Sequence, residues 1–376
     1  MTGTTGVQFL DNTTIHDLLI NLSRDEAINL RNVMERTFED FSVGGERQYQ
    51  PQPSFTNRPN GQSTLFRPFT SNDSVGTKIS VEPTPDPDGK KGALHGVIVL
   101  CDGNGIPAGL LSSEEVTGYR TSMNAMVPFS WRKHVDDIVI FGSGMQALWH
   151  TRLILTLRGS EVKRITYVSS GKHRIDELIL KVSRENGTRW NSECVFDFIG
   201  NTTSDFQQRL EARLRGADCI FCTTPSKKPL FPMGYLGERD GRRPFISAVG
   251  SWQSDMIELD PALLHLAVAP NSGYNPITQK DDGVILVDDR EFGLTNSGEL
   301  VQAEIAARNV VELGEVISIM GKEKADFASA RIAKTKEFIS EGFVIYKSVG
   351  VSLTDLTISN AILQIAREKT EQPRHP

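Results

Sequence analysis

Cysteine is scarce. Four in 376 residues do not make the disulfide framework on which small secreted domains depend. Long apolar runs are missing as well. None approaches the roughly 18 residues that cross a bilayer, so no membrane partner is expected. The net charge of -6 comes without a basic block, which argues against a nucleic-acid-binding surface. No H-E-x-x-H or other metal-ligand spacing occurs, and no metal is expected. Gly142-Ser143-Gly144 lacks the G-x-S-x-G spacing of a serine nucleophile elbow. The opening residues, MTGTTGVQFLDNTT, carry neither a charged n-region nor an apolar h-region. Arg374-His375-Pro376 match no common address signal, so the cytoplasm is the expected location. What remains is an ordinary globular composition, 38% hydrophobic and 23% charged, with length for two or three domains of about 150 residues.

Against these absences one stretch is informative, Ile138 to His150, IVIFGSGMQALWH. Ile138 to Phe141 read as a buried strand. Gly142, Ser143, Gly144, Met145, Gln146 and Ala147 follow without a spacer, and an amphipathic run then begins. Strand, glycine turn and helix form the context in which G-x-G-x-x-G/A binds a dinucleotide. Gly142 permits the tight turn, Gly144 lets a pyrophosphate approach the backbone, and Ala147 is small where helix meets sheet. The helix N-terminus supplies free amides and a positive dipole end. The next strand ends at Val168, where an acidic residue would bind the ribose hydroxyls of NAD. The chain reads Ser169-Ser170-Gly171-Lys172-His173-Arg174 instead. Hydroxyls and cations without an acid suit a 2′-phosphate, so NADP(H) is expected over NAD(H). The competing reading makes Lys172 and Arg174 a solvated helix start.

The rest of the chain supports an α/β fold. A helix runs from Ser23 to about Phe41, opened by the Ser23/Glu26 capping box. Thr64 to Phe66, Val75 to Val81 and Leu94 to Cys101 read as strands. Asp102-Gly103-Asn104-Gly105 is a hairpin turn into Pro107 to Leu111, and together these imply an antiparallel sheet. A helix from about Ser113 to Phe129 carries Arg120. Past the glycine turn, apolar runs recur at Ile165, Val195, Cys219, Phe245 and Leu266 to Val268, with helical segments between them. That alternation marks a doubly wound parallel sheet. Asp282 to Asp288 reads as a further strand, and Glu299 to Ile319 as a helix. Phe343 to Tyr346 is one more strand, and Thr354 to Glu368 a last helix.

Several residues invite a functional reading and have a bland alternative. Cys219 and Cys222 lie three apart on a strand and point to opposite faces, which favours core packing. His150 could sit near the cofactor or simply pack. His95 precedes an apolar strand and could face a pocket, although a lone histidine is more often structural. Lys78 and Arg120 are cations outside the nucleotide unit, and spacing alone would not single them out.

Taken together, the motifs resemble the ornithine cyclodeaminase/mu-crystallin family over most of the chain. The wording G-x-G-x-Q-A-x-x-H carries the likeness first. Gly76-Thr77-Lys78 is similar to the family's substrate-lysine strand. Leu94 to Leu100 with Asp102-Gly103 is similar to its next hairpin, and Thr117 to Ser122 to its T-x-x-R-T-A helix. Ala217 to Ser226, Ala248 to Ser251, Glu258-Leu259-Asp260, Glu312 to Val316 and Tyr346 to Gly350 also match, in order. The resemblance implies a Rossmann doubly wound parallel sheet inserted between the N- and C-terminal parts of an α+β domain. Residues 130–340 would bind NAD(P), and 1–129 plus 341–376 would bind substrate and form a homodimer. Thr223, Thr224, Val249, Ser348 and Gly350 would border the cofactor.

Three departures from the family bear on the reaction. Cyclodeaminases carry an aspartate two residues after the glycine of the Val-Gly segment, and that place is Trp252 here. An indole cannot transfer a proton, so the resemblance is closer to the mu-crystallin-like ketimine reductase branch. The family's early arginine falls at Pro53, and Arg67 stands where methionine is frequent; Arg67 or Arg58 could compensate. The implied function is an NAD(P)H-dependent oxidoreductase on C–N bonds that reduces a ketimine or cyclic imine to the amine. Lys78 and Arg120 would be catalytic, with Arg67, Trp252 and His95 near an imine or amino-acid-like substrate. The alternatives are an amino-acid dehydrogenase, a cyclodeaminase-like enzyme, or a non-catalytic NADP(H)-binding crystallin-like protein.

Overall fold

The computed structural model describes residues 6–371 except 90–91, 203, 238–242, 252 and 322–328. The chain forms two compact units, residues 1–120 with 351–376, and residues 121–350. The first unit begins with β1 (Gln8–Leu10), α1 (Asn12–Ile20) and α2 (Arg24–Ser42). The α2 N-terminus is fixed by the capping box. Ser23 Oγ accepts from the Glu26 amide at 3.2 Å, and Glu26 accepts from the Ser23 amide at 2.7 Å. Its buried residues Ala27, Leu30, Met34, Thr37, Phe38 and Phe41 recur at helical spacing and turn one face to the core. Next come β2 (Ser54–Asn57), β3 (Ser63–Thr70), β4 (Ser74–Glu82), β5 (His95–Asp102), β6 (Pro107–Ser112) and α3 (Ser113–Ser130).

The sheet of this unit has the order β1-β6-β5-β4-β3-β2. Its hairpin-linked strands are antiparallel. The β1 strand, however, lies parallel to β6, pairing Gln8 with Gly109 and Leu10 with Leu111. The sheet is therefore mixed rather than antiparallel throughout. Hairpins force reversal only between the strands they join, and β1 reaches β6 by a long connection.

In the second unit the chain runs through β7 (Asp137–Phe141), α4 (Met145–Arg158), β8 (Arg164–Ser169), α5 (Lys172–Glu185), β9 (Val195–Gly200), α6 (Phe206–Arg215), β10 (Cys219–Cys222) and β11 (Phe245–Ala248). It continues with α7 (Pro261–Ala267), β12 (Ile285–Val287), α8 (Arg290–Asn296), α9 (Gly298–Gln302), β13 (Val310–Glu312), α10 (Leu313–Gly321), α11 (Ser329–Glu341) and β14 (Ile345–Lys347). All eight strands are parallel, in the order β13-β12-β14-β11-β10-β7-β8-β9. The order turns at β7, with β8 and β9 on one side and β10 and β11 on the other. Such a switch point opens a crevice at the carboxyl ends of the strands. Val139, Ile220, Ile246, Ile285 and Ile345 are fully buried in its core.

Two expected elements differ. Leu266 to Val268 is not a strand, because Asp260 caps α7 by accepting from the Ala262 amide and Pro261 presets its first turn,. The helix expected over Glu299 to Ile319 is interrupted by β13. Val310 and Val311 are β-branched and complete the sheet edge beside β12,. Cys219 and Cys222 are buried and free. Among the described residues no helix is long and apolar enough to cross a membrane, and no group of side chains is arranged to hold a metal.

After the second unit, α12 (Ser352–Glu371) returns to the first. Thr357 meets Thr37 of α2 at 3.0 Å, and Asn360 donates to Ser74 at 2.7 Å. A Cβ on Gly109 would lie 2.8 Å from the Leu363 methyl groups, so β6 and this helix pack closely there.

Candidate cofactor and substrate sites

The expected cofactor residues gather at the carboxyl edge of the parallel sheet. Gly142 follows β7 with φ +118, a conformation that side chains rarely adopt, and a Cβ there would lie 2.6 Å from Thr223 Oγ1,. Around Gly144, by contrast, a Cβ would meet nothing within 4 Å. Gly144 is also the N-cap of α4 and offers no side chain to its amides. Open space facing uncapped amides at the start of a 14-residue helix is what a pyrophosphate requires. Ala147 is fully buried, where a larger residue would part helix from sheet. Met145 is exposed, and Gln146 accepts from Ser122 Oγ at 3.3 Å. The residues present therefore fit a dinucleotide.

On the β8 side, Ser143 Oγ lies 3.2 Å from Ser169 Oγ. Ser170, Lys172 and Arg174 are exposed, and the Arg174 guanidinium folds toward Gly171, whose Cβ would lie 3.2 Å from Nε. On the other side, Thr223 and Thr224 follow β10, Val249 follows β11, and Ser348 and Gly350 follow β14.

Three buried acids that the sequence reading did not select brace these loops. Glu258 accepts from the Thr224 amide at 2.6 Å, the Thr224 hydroxyl at 2.9 Å and the Gly250 amide at 2.7 Å. Burial pushes its pKa up to about 7, against the pull of Lys347. Glu299 accepts from the Glu258 amide at 2.8 Å and from Ser251 Oγ. Asp288 accepts from Ser348 Oγ at 2.7 Å and from the Val349 and Gly350 amides at 2.9 and 2.8 Å. His150 proves structural. It is fully buried, its Nδ1 lies 2.7 Å from Gln146 O, and burial lowers its pKa to about 4.

The first unit carries a different cluster. Lys78, on β4, stands directly opposite Arg67 on β3, so both side chains share a face. Arg67 is 4% exposed and Lys78 3%. Lys78 Nζ donates to both oxygens of Asp355, at 2.8 and 2.9 Å, and Arg120 Nε donates to Asp355 Oδ1 at 3.0 Å. Asp355 lies one turn into α12 and is fully buried. Its own burial opposes ionisation, but Arg120, Lys78 and Arg67 outweigh that and hold its pKa below the usual value. Burial drives the Lys78 pKa down to about 7, Asp355 resists, and Arg120 and Arg67 add to the fall. The cluster thus holds an ammonium able to exchange its proton near neutrality, beside an arginine whose Nε is anchored.

Asp355 was not legible as a site residue until its partners were known. One signal was available: an acid inside the apolar run VSLTDLTISNAIL must be paired if it is buried. Arg58 and His95 are not brought to the cluster. Arg58 sits exposed in the turn between β2 and β3. His95 is exposed at the start of β5, 2.9 Å from Glu114, where the strand emerges from its surface turn. Trp252 lies outside the described residues.

No family model matches the chain. It is similar to an uncharacterised cyclodeaminase of Dictyostelium discoideum, 26% identical over 334 residues and 84% of each chain. It is also similar to an uncharacterised protein of Saccharomyces cerevisiae, 23% identical over 337 residues, 84% of this chain and 85% of that one. Among solved structures, an archaeal alanine dehydrogenase dimer with bound NAD superimposes with TM-score 0.70 at 17% identity, covering 97% of both chains. The Thermococcus litoralis Δ1-pyrroline-2-carboxylate reductase, in complex with NADH and L-proline, gives 0.69 at 17%, covering 97% of this chain and 98% of that one. A probable ornithine cyclodeaminase from Bordetella pertussis Tohama I gives 0.68 at 21%, covering 98% and 99%. Over nearly its whole length the chain has the ornithine cyclodeaminase and alanine dehydrogenase fold, and its sequence is similar to that of a cyclodeaminase.

Proposed function

We propose that this protein is a nicotinamide-dependent oxidoreductase of the ornithine cyclodeaminase/mu-crystallin family that reduces a carboxylated ketimine or cyclic imine to the amine. The observation that carries the reading is the buried Lys78–Asp355–Arg120 cluster, in a chain whose other unit fits a dinucleotide. A bound nicotinamide supplies the hydride for such chemistry. The chain supplies a proton and a carboxylate receptor. Arg120, fixed through Nε, keeps its terminal nitrogens for a substrate carboxylate. Lys78, titrating at about 7, hydrogen-bonds the imine nitrogen and provides its proton, and a protonated imine is the better hydride acceptor. Arg67 adds a second cation beside it. Lys172 and Arg174 favour the 2′-phosphate of NADP(H), because each is exposed and, among the described residues, neither forms an ion pair. The reductase and the dehydrogenase of the same fold, in complex with NADH and NAD, support a nicotinamide cofactor, and the dehydrogenase dimer supports a homodimer here.

The test is an NADPH- and NADH-oxidation screen against cyclic and linear imines, each with and without a carboxylate. Turnover confined to carboxylated imines, and lost in Lys78→Ala, is the expected result. A second reading rests on the cyclodeaminase relative. Ammonia released from ornithine, lysine or alanine, with no imine reduced, would establish deamination in its place.

A further inference from the structure

A buried carboxylate whose lone pairs all face backbone loops is expensive to keep, because an apolar side chain would fill the same space without desolvating a charge. Glu258 is such a group. It is fully buried and accepts three hydrogen bonds, two from Thr224 and one from Gly250. Thr224 lies in the loop leaving β10, and Gly250 in the loop leaving β11. These loops touch backbone to backbone, since a Cβ on Gly250 would lie 2.0 Å from Thr224 O. A third strand end joins them. Lys347, the last residue of β14, donates to Ser251 O at 2.5 Å and Ser251 Oγ at 2.8 Å, and stands 3.4 Å from Glu299. One acid therefore sets the spacing of two loops, and the Glu299–Lys347 pair ties the second of them, through Ser251, to the next strand.

Sheet order tells which part of a dinucleotide these loops would meet. The glycine turn after β7 takes the pyrophosphate, and Ser169, Lys172 and Arg174 lie on the β8 side, toward the adenosine. β10, β11 and β14 lie on the opposite side of β7, toward the nicotinamide. We propose that Glu258 is a positioning residue for the nicotinamide end of the cofactor, acting through the Thr224 and Gly250 loops. It does not touch the cofactor. It holds the backbone that does, within the fraction of an ångström that hydride transfer demands. The inference rests on the cofactor reading above.

Fragment binding tests it. Calorimetry or fluorescence titration would compare NADPH or NADH, whichever wild type binds more tightly, with the nicotinamide-free counterpart, 2′-phospho-ADP-ribose or ADP-ribose. Glu258→Gln leaves one acceptor oxygen for three donors. It is expected to weaken the whole dinucleotide by about tenfold or more while leaving the fragment within about twofold, and Glu258→Asp is expected to recover part of the loss. Equal weakening of both ligands, or of neither, would overturn the proposal. Thr224→Val, which deletes only the hydroxyl donor, provides the same comparison if Glu258→Gln does not fold; it should lose about threefold for the dinucleotide alone, and no selective loss would again overturn it. A wild type that binds the fragment and neither dinucleotide removes the cofactor reading itself.

Discussion

Asp355→Asn is the substitution that most directly probes the proposed proton donor. Asp355 lies 2.8 and 2.9 Å from Lys78 Nζ. At that separation an effective dielectric of about 20 gives roughly 6 kcal/mol of attraction. The neutral amide loses that ionic attraction but still accepts a hydrogen bond from the ammonium worth about half as much, so the net loss is about 3 kcal/mol, or about two pKa units. Lys78 would then titrate about two units below its present value of about 7, because burial, Arg120 and Arg67 all continue to push it down. If Lys78 is the acid, kcat/KM in wild type falls as pH rises through about 7, where the ammonium gives up its proton. In the variant that falling limb moves to near pH 5, and activity at pH 7 drops about fiftyfold. The assay is the pH profile of imine reduction from pH 5 to 9 at subsaturating substrate. Arg120 also loses its anchor, but that lowers the profile without moving the limb. A limb that stays near pH 7 in Asp355→Asn would refute Lys78 as the group that titrates.

Three further outcomes follow from the same geometry. The Lys78 pKa is lowered from 10.5 to about 7, so between those values the unfolded chain holds a proton that the folded chain lacks. Stability should therefore gain up to about 1.4 kcal/mol per unit from pH 7 toward 10, and urea titrations of Lys78→Met should show that slope removed. Gly142→Ala places a side chain at φ +118 and 2.6 Å from Thr223 Oγ1; a loss of about 1–3 kcal/mol, with loss of dinucleotide binding, is expected from thermal unfolding and titration. Lys172→Ala and Arg174→Ala should each weaken NADPH about tenfold and leave NADH unchanged; parallel losses for both cofactors would make these cations an ordinary solvated helix start.

How much of this was legible beforehand depended on how local the signal was. The Rossmann-like unit announces itself because its determinants lie within ten residues: an apolar strand, Gly142, Gly144 and Ala147. The α2 helix was equally plain from Ser23, Glu26 and its apolar spacing. Local competition explains the failures. Leu266 to Val268 has the composition of a strand, yet Asp260-Pro261 upstream starts a helix through it. Val310 and Val311 sat within a helical window, and only the vacant edge of β12 makes a strand of them. The candidate site was half visible. Lys78 and Arg120 came from family likeness, whereas Asp355, which joins them, lies 277 residues from Lys78 and no spacing rule connects the two. Glu258 stands in the matching segment Glu258-Leu259-Asp260, but its bonds to two loops exist only once the sheet has ordered them. Composition does not distinguish Arg67 from Arg58; what the β3–β4 register adds is that Arg67 stands opposite Lys78.

The division of the first unit into two chain segments has a consequence for how the protein is made. Lys78 and Arg120 leave the ribosome 235 or more residues before Asp355, with all of residues 121–350 translated in between. The parallel-sheet unit is complete at Gly350 and can fold while synthesis continues. Its predecessor cannot finish, because until α12 emerges the cations of β4 and α3 have no carboxylate to be buried against. Closure of that unit must therefore wait for α12, and the nascent chain keeps these charges in water until it emerges. Chains cut short before residue 351 should accumulate with the second unit folded and the first one open to proteases.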